Sequence, residues 1–86
     1  MITQRYNILW VDDEIDLLKP YVLFLEEKNY NVTTFNDPYS LLNFIKSNNE
    51  YDLILIDENM PGKSGLSLLS DIKNISAITP VIMITK

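Results

Sequence analysis

The sequence predicts an α/β fold, a doubly wound parallel sheet with helices on both faces, and two features of the chain carry that expectation. The apolar runs Ile8 to Val11, Leu53 to Ile56 and Val81 to Ile84 are continuous and not alternating, as in strands buried on both sides. Between them lie stretches whose apolar residues recur at helical spacing. Strands alternating with helices imply right-handed crossovers and a parallel sheet. A length of 86 residues leaves room for one small domain, and 47% hydrophobic with 22% charged residues is a globular composition.

Each element has a local reason. The first strand, Ile8-Leu9-Trp10-Val11, stops abruptly at Asp12-Asp13-Glu14. From Ile15 to Asn29, the residues Leu17, Leu18, Tyr21, Val22 and Leu25 fall at helical spacing. Pro20 conflicts with a regular helix there, which predicts one helix bent near Pro20 and not two separate elements. Trp10 is expected to pack beneath that helix. Val32 to Phe35, rich in β-branched residues, reads as the second strand. Asp37-Pro38 is a helix start, with Asp as N-cap and Pro at the first helical position. Leu41, Leu42 and Ile45 supply the buried stripe of this second helix, and Asn48-Asn49 ends it. Leu53-Ile54-Leu55-Ile56 is the clearest buried strand and ends on Asp57. Glu58 to Ser64 forms a loop that turns at Pro61-Gly62. Leu66, Leu69 and Ile72 give a third amphipathic helix, and Pro80 opens a fourth strand, Val81 to Ile84.

Composition removes several chemistries. The chain has no cysteine, hence no disulfide framework, zinc-thiolate site or thiol nucleophile, and no histidine, hence no histidine-based triad or imidazole-ligated metal. Any metal must sit on oxygen ligands, which points toward magnesium, calcium or manganese. A net charge of −5, with basic residues scattered and forming no stripe, argues against direct contact with nucleic acid or an anionic membrane. The apolar runs fall far short of a span of roughly 20 residues, and the first five residues lack a signal-peptide core. The expected location is the cytoplasm.

In parallel α/β sheets, ligands bind outside the carboxyl ends of the strands. Asp12 and Asp13 follow the first strand, Asp57 the third and Thr85 the fourth, so topology gathers three carboxylates and a hydroxyl on one edge. Carboxylates brought together repel one another, and a hard divalent ion removes that cost. A carboxylate there can also be a nucleophile that forms an acyl phosphate, with Thr85 placed to hydrogen-bond a phosphoryl oxygen. Plainer readings stand beside this. Asp12, Asp13 and Glu14 could cap the first helix, Asp57 could open the Pro61-Gly62 bend as an Asx residue, and Thr85 is an ordinary strand residue. Convergence of three strand ends on one edge favours function.

These residues resemble the receiver domain of two-component response regulators. The matching pieces are Ile8 to Glu14, then Leu53 to Asp57 with Met60-Pro61 and Gly65, then Pro80 to Thr85. The resemblance spans essentially the whole chain and implies a flavodoxin-like sheet ordered 2-1-3-4. It implies that Asp57 accepts a phosphoryl group from a phosphohistidine on a sensor histidine kinase or histidine phosphotransfer protein. It further implies that Mg2+ is bound directly by Asp13, Asp57 and the backbone carbonyl of Asn59, and through water by Asp12. Thr85 would contact the phosphoryl group. Such a domain takes part in its own phosphorylation and is not an enzyme with a separate substrate; an effector domain C-terminal to it carries the output.

The chain also departs from that pattern. Receivers run to about 120 residues, with a fifth strand bearing a phosphate-contacting lysine and two further helices, so residues 1–86 are expected to be the N-terminal part of one receiver domain. Lys86 follows Thr85 directly, where the family usually has a small residue, and is not assumed to replace that lysine. The fourth strand would be left as an apolar edge, so the natural protein is expected to be longer, with the missing part cut away, disordered or exchanged with another chain; a chain ending at Lys86 is expected to dimerise or to be marginally folded. Trp10 to Pro20 and Asp57 to Gly62 look like regulators associated with type IX secretion, which carry an alkaline-phosphatase-like effector domain. Three alternatives remain: a non-phosphorylated receiver-like interaction module, a Mg2+-dependent phosphohydrolase with an aspartyl nucleophile, and a nucleotide-binding domain. The hydrolase usually needs D-x-D where this chain has adjacent acids. The nucleotide site needs a glycine-rich first loop, and Gly62 and Gly65 lie in another crossover.

Overall fold

The computed structural model describes residues 5–85. In chain order the elements are β1 (Tyr6–Val11), a 3₁₀ turn (Ile15–Leu18), α1 (Lys19–Glu27), β2 (Tyr30–Phe35), α2 (Pro38–Ser47), β3 (Leu53–Asp57), α3 (Gly65–Ile75) and β4 (Val81–Ile84). The strands form one sheet in the order β2-β1-β3-β4, all neighbours parallel, as the sequence predicts. Register sets Val11 beside Phe35 and Ile56, and Asp57 beside Ile84, so the strand ends are level along one edge.

β1 and β2 start two residues before their apolar runs. Asn7 and Asn31 are register partners there, and Asn31 Nδ2 donates to Asn7 Oδ1 at 3.1 Å while Arg5 Nη1 donates to Asn31 Oδ1 at 3.1 Å. Side-chain amides thus extend the pairing beyond the residues whose burial drives it.

The core lies between the sheet and the α2–α3 layer. Leu9, Val11, Ile54 and Ile56 point to this side and pack with Leu41, Ile45, Met60, Leu68 and Ile72. Successive strand residues face opposite ways, which is why odd positions of β1 and even positions of β3 share it. α2 starts as expected: Asp37 is the N-cap, its Oδ1 accepts from Ser40 N at 2.9 Å, and Pro38 occupies the first turn. Asn48 ends it.

Two expectations need correction. The segment 15–29 is not one bent helix. Glu14 O accepts from Leu17 N in a 3₁₀ turn, and the α-helix begins only at Lys19. Pro20 then falls in the first helical turn, where its missing N–H and fixed φ cost nothing. The helix closes at Asn29, which adopts φ +74°, a left-handed value that asparagine tolerates. No residue of α1 is buried; Leu17 and Tyr21 are exposed, and only Leu18, Val22 and Leu25 of the expected stripe are half-buried. Trp10 is buried as expected and lines an apolar cleft of about 310 Å³ with Leu18, Tyr21 and Ile84.

The second correction concerns α3. Its inward face is Gly65, Leu68 and Ile72 with Leu69 at the margin, whereas Leu66 is 71% exposed. Two residues along a helix are roughly 200° apart, so Leu66 cannot share a face with Leu68.

Candidate functional site

The carboxyl edge is assembled by backbone bonds between strand ends. Asp12 N donates to Phe35 O at 3.0 Å, tying the end of β1 to the end of β2. Glu58 N donates to Ile84 O at 3.0 Å, tying the end of β3 to β4. Asp12 is fully buried and Asp57 is 3% exposed, while Asp13, next in the chain, stands in solvent. Each of the three offers a carboxylate oxygen, and these oxygens all lie within 4.8 Å of one another.

Negative charges at that separation repel even in a solvated setting, by up to a few kcal/mol at an intermediate effective dielectric. Oxygen-only donors, two of them buried and one open to solvent, fit a hard divalent cation that keeps part of its water shell. No thiolate or imidazole competes for a softer metal. The donor set therefore fits Mg2+.

The plainer readings are met in part. Asp12 Oδ1 accepts from Glu14 N at 2.8 Å, so the carboxylate organises the turn after β1. Glu14, at the start of the 3₁₀ turn, makes no side-chain cap. Asp57 Oδ1 accepts from Asn59 N at 3.3 Å, an Asx-like bond. Both bonds aim a carboxylate at the shared edge, so turn geometry and site geometry coincide. Thr85 is exposed and directly follows Ile84, the register partner of Asp57. Asn59 sits exposed in the β3–α3 loop. The expectation for Lys86 lies outside the described residues.

Several residues brace this loop, some of them with no signal in the sequence. Met60 is buried in the core and anchors the loop from below. Tyr39 Oη donates to Gly62 O at 3.3 Å, a brace from α2. Gly62 has φ +83°, the left-handed conformation its turn requires. Lys63 pairs with Asp71 of α3 at 2.7 Å, and the bond to that carboxylate holds the ammonium above its ordinary pKa. Ser64 caps α3 by accepting from Ser67 N at 3.2 Å. A serine before an apolar helical run signals a cap; nothing in sequence signals the Tyr39 bond. No described helix is long and apolar enough to cross a membrane.

Comparison with known proteins adds a family. The profile of the response regulator receiver domain matches residues 8–86. The phosphoglycerate transport system transcriptional regulatory protein PgtA of Salmonella typhimurium is 32% identical over 85 residues, which is 99% of this chain and 20% of PgtA. A receiver domain protein from Clostridium thermocellum superposes with a TM-score of 0.86 at 32% identity, covering 93% of this chain and 64% of that one. TrrA of Thermotoga maritima, solved with Mg2+-BeF, gives a TM-score of 0.83 at 32% identity over 93% of this chain and 69% of TrrA. TrrA has also been solved in complex with the histidine kinase ThkA. The chain thus spans a fifth of PgtA and about two thirds of these solved receivers.

Proposed function

The chain belongs to the response regulator receiver domain family, and from that premise we propose that Asp57 is its phosphoacceptor, taking the phosphoryl group from a phosphohistidine of a partner protein. The observation that carries this is the cluster of Asp12, Asp13 and Asp57, with Asp57 buried at the end of the central strand β3. A carboxylate oxygen of Asp57 attacks phosphorus, the P–N bond breaks, and the electron pair stays on that imidazole nitrogen of the partner; the ring's other nitrogen carries a proton, so the leaving group is a neutral imidazole. Asp57 becomes an acyl phosphate. Asn59 N, bonded to Asp57 Oδ1, fixes the rotamer of the nucleophile.

Asp13, Asp57 and the Asn59 carbonyl would hold Mg2+ directly and Asp12 through water. When bound, the ion offsets charge that develops on the transferred group. Thr85, just beyond the register partner of Asp57, is the hydroxyl for a phosphoryl oxygen. Asp12 holds the turn that presents Asp13. The donor is a sensor histidine kinase or a histidine phosphotransfer protein; the TrrA–ThkA complex supports a kinase as partner. The output belongs to an effector domain outside these residues, so this segment acts on no separate substrate, and the setting is the cytoplasm. A type IX secretion-associated regulator with an alkaline-phosphatase-like effector is the finer placement.

Residues 1–86 are then the N-terminal part of one receiver domain. Two features support this: the solved receivers are longer, and β4 has a strand neighbour on one side only among the described residues.

Intact mass before and after incubation with a small phosphodonor and Mg2+ tests the proposal. One added phosphoryl group that disappears in Asp57→Asn is the expected result. A complete chain that gains nothing, or gains equally with Asp57→Asn, removes Asp57 as acceptor and favours a module that only binds partners.

A further inference from the structure

We infer that Gly65 is a positioning residue for Asp57: because it has no Cβ, the first turn of α3 closes onto the end of β3 and sets where the Asp57 carboxylate and the Asn59 carbonyl stand. The inference rests on the reading of Asp57 as phosphoacceptor and cation ligand. A Cβ on Gly65 would lie 2.9 Å from Asp57 O, 2.9 Å from Glu58 Cα and 3.1 Å from Glu58 O. Cβ atoms in folded proteins essentially never approach below 3.0 Å, so something would have to move. All three neighbours are backbone atoms, and no side chain can rotate out of the way.

Which partner yields is decided by packing. α3 is held from the opposite direction by Leu68 and Ile72, both fully buried in the core. Close-packed interiors resist such displacement. The stretch 57–59 instead leaves the sheet just after Asp57, the last residue of β3, and Asn59 is already exposed, so it gives first. Gly65 also grips this stretch, since its N–H donates to Glu58 O at 2.9 Å. Its amide pulls the backbone in, and its bare Cα allows the approach. The stretch so placed contains Asp57 and Asn59, two of the three direct ligands proposed for Mg2+.

The second glycine of the same loop supplies a control. Gly62 has φ +83°, and a Cβ there would meet nothing within 4 Å. Gly62 serves backbone conformation, whereas Gly65, whose φ is not left-handed, serves space. Replacing Gly62 strains the turn without wedging β3 from α3.

The test compares Gly65→Ala and Gly62→Ala in the full natural chain, by calorimetric Mg2+ affinity, thermal midpoint, and amide chemical shifts of the metal-free protein. Gly65→Ala is expected to weaken Mg2+ binding by about tenfold or more, as for loss of groups that orient ligands. It should also shift the amides of Asp57, Glu58 and Asn59 before any metal is added. Gly62→Ala should lower the midpoint and keep Mg2+ affinity within about twofold. A Gly65→Ala protein with a lowered midpoint but unchanged Mg2+ affinity and unchanged 57–59 amides overturns the inference, leaving only a structural role. Should that variant not fold, the natural protein decides: on Mg2+ titration the Gly65 amide must shift more than the Gly62 amide, and the reverse order overturns it. Failure of the underlying reading looks different, because Asp57→Asn and Asp13→Asn would then bind Mg2+ as the natural chain does.

Discussion

The two faces of the sheet are built from the same strands and differ in how completely they are covered. On the α2–α3 side, Leu9, Val11, Ile54 and Ile56 are buried against Leu41, Ile45, Leu68 and Ile72. On the α1 side, Ile8 and Trp10 are buried, but Leu53, Leu55 and Ile84 are half-buried and Ile82 is 52% exposed. The strands do not explain the difference, since β3 reads Leu-Ile-Leu-Ile and offers aliphatic side chains equally to both sides. The number of helices among the described residues does. A helix of about 10 Å diameter covers about two strands spaced ~4.8 Å apart. Among the described residues, α2 and α3 together roof their side, while α1 packs mainly on β2, so that Leu53, Leu55 and Ile84 stay half-buried and Ile82 exposed. Continuous apolarity in a strand reports what must be covered, not what covers it.

That comparison can be broken by mutation. Truncating a fully buried residue on the roofed side, Leu41→Ala, should cost about 2–5 kcal/mol, read as a lower urea midpoint. A loss under 1 kcal/mol would mean the α2–α3 layer is as loose as the α1 side. Next in size is the α2 cap. Asp37→Ala should cost about 1 kcal/mol, because Asp37 Oδ1 accepts from Ser40 N and Oδ2 from Ser40 Oγ at 2.6 Å.

The same cap gives a pH signature. The Ser40 hydroxyl bond, then the Ser40 backbone bond, hold the Asp37 carboxyl below its ordinary value. A carboxyl lowered in the folded state contributes stability above its unfolded pKa, near 3.9, and that contribution fades as pH falls through the lower folded value. Denaturant midpoints of the natural chain and Asp37→Ala should therefore converge below about pH 3.9; a gap that persists well under that range would assign the cap to something other than charge. The smallest effect is expected on the bare side. Leu17→Ser should change stability by no more than about 0.5 kcal/mol, and a larger loss would show that something covers the 3₁₀ turn in solution.

Much of the site is legible in the sequence. Asp12, Asp13 and Asp57 each terminate an apolar run, and parallel topology sends such residues to one edge, where their oxygens indeed gather. The hydrophobic stripes were less legible. Leu66 and Leu17 are apolar residues at helical spacing, yet both are exposed. Spacing defines a face only to within the rotation that packing selects, and for α3 packing selected Gly65, Leu68 and Ile72. Pro20 differs from the sequence expectation for a related reason: a proline disrupts a helix only if the helix has already begun.

The order of elements, the Asp37 cap, the turn at Pro61-Gly62 and the acidic strand ends follow from the sequence by itself, because each depends on a few neighbouring residues and on the conformations they permit. Tertiary structure alone decided that Tyr39 reaches Gly62, that Gly65 lies against the backbone of Asp57 and Glu58, and that α1 buries none of its residues. Those outcomes depend on distances of a few ångströms between segments far apart in the chain, which are settled only when all the layers pack at once.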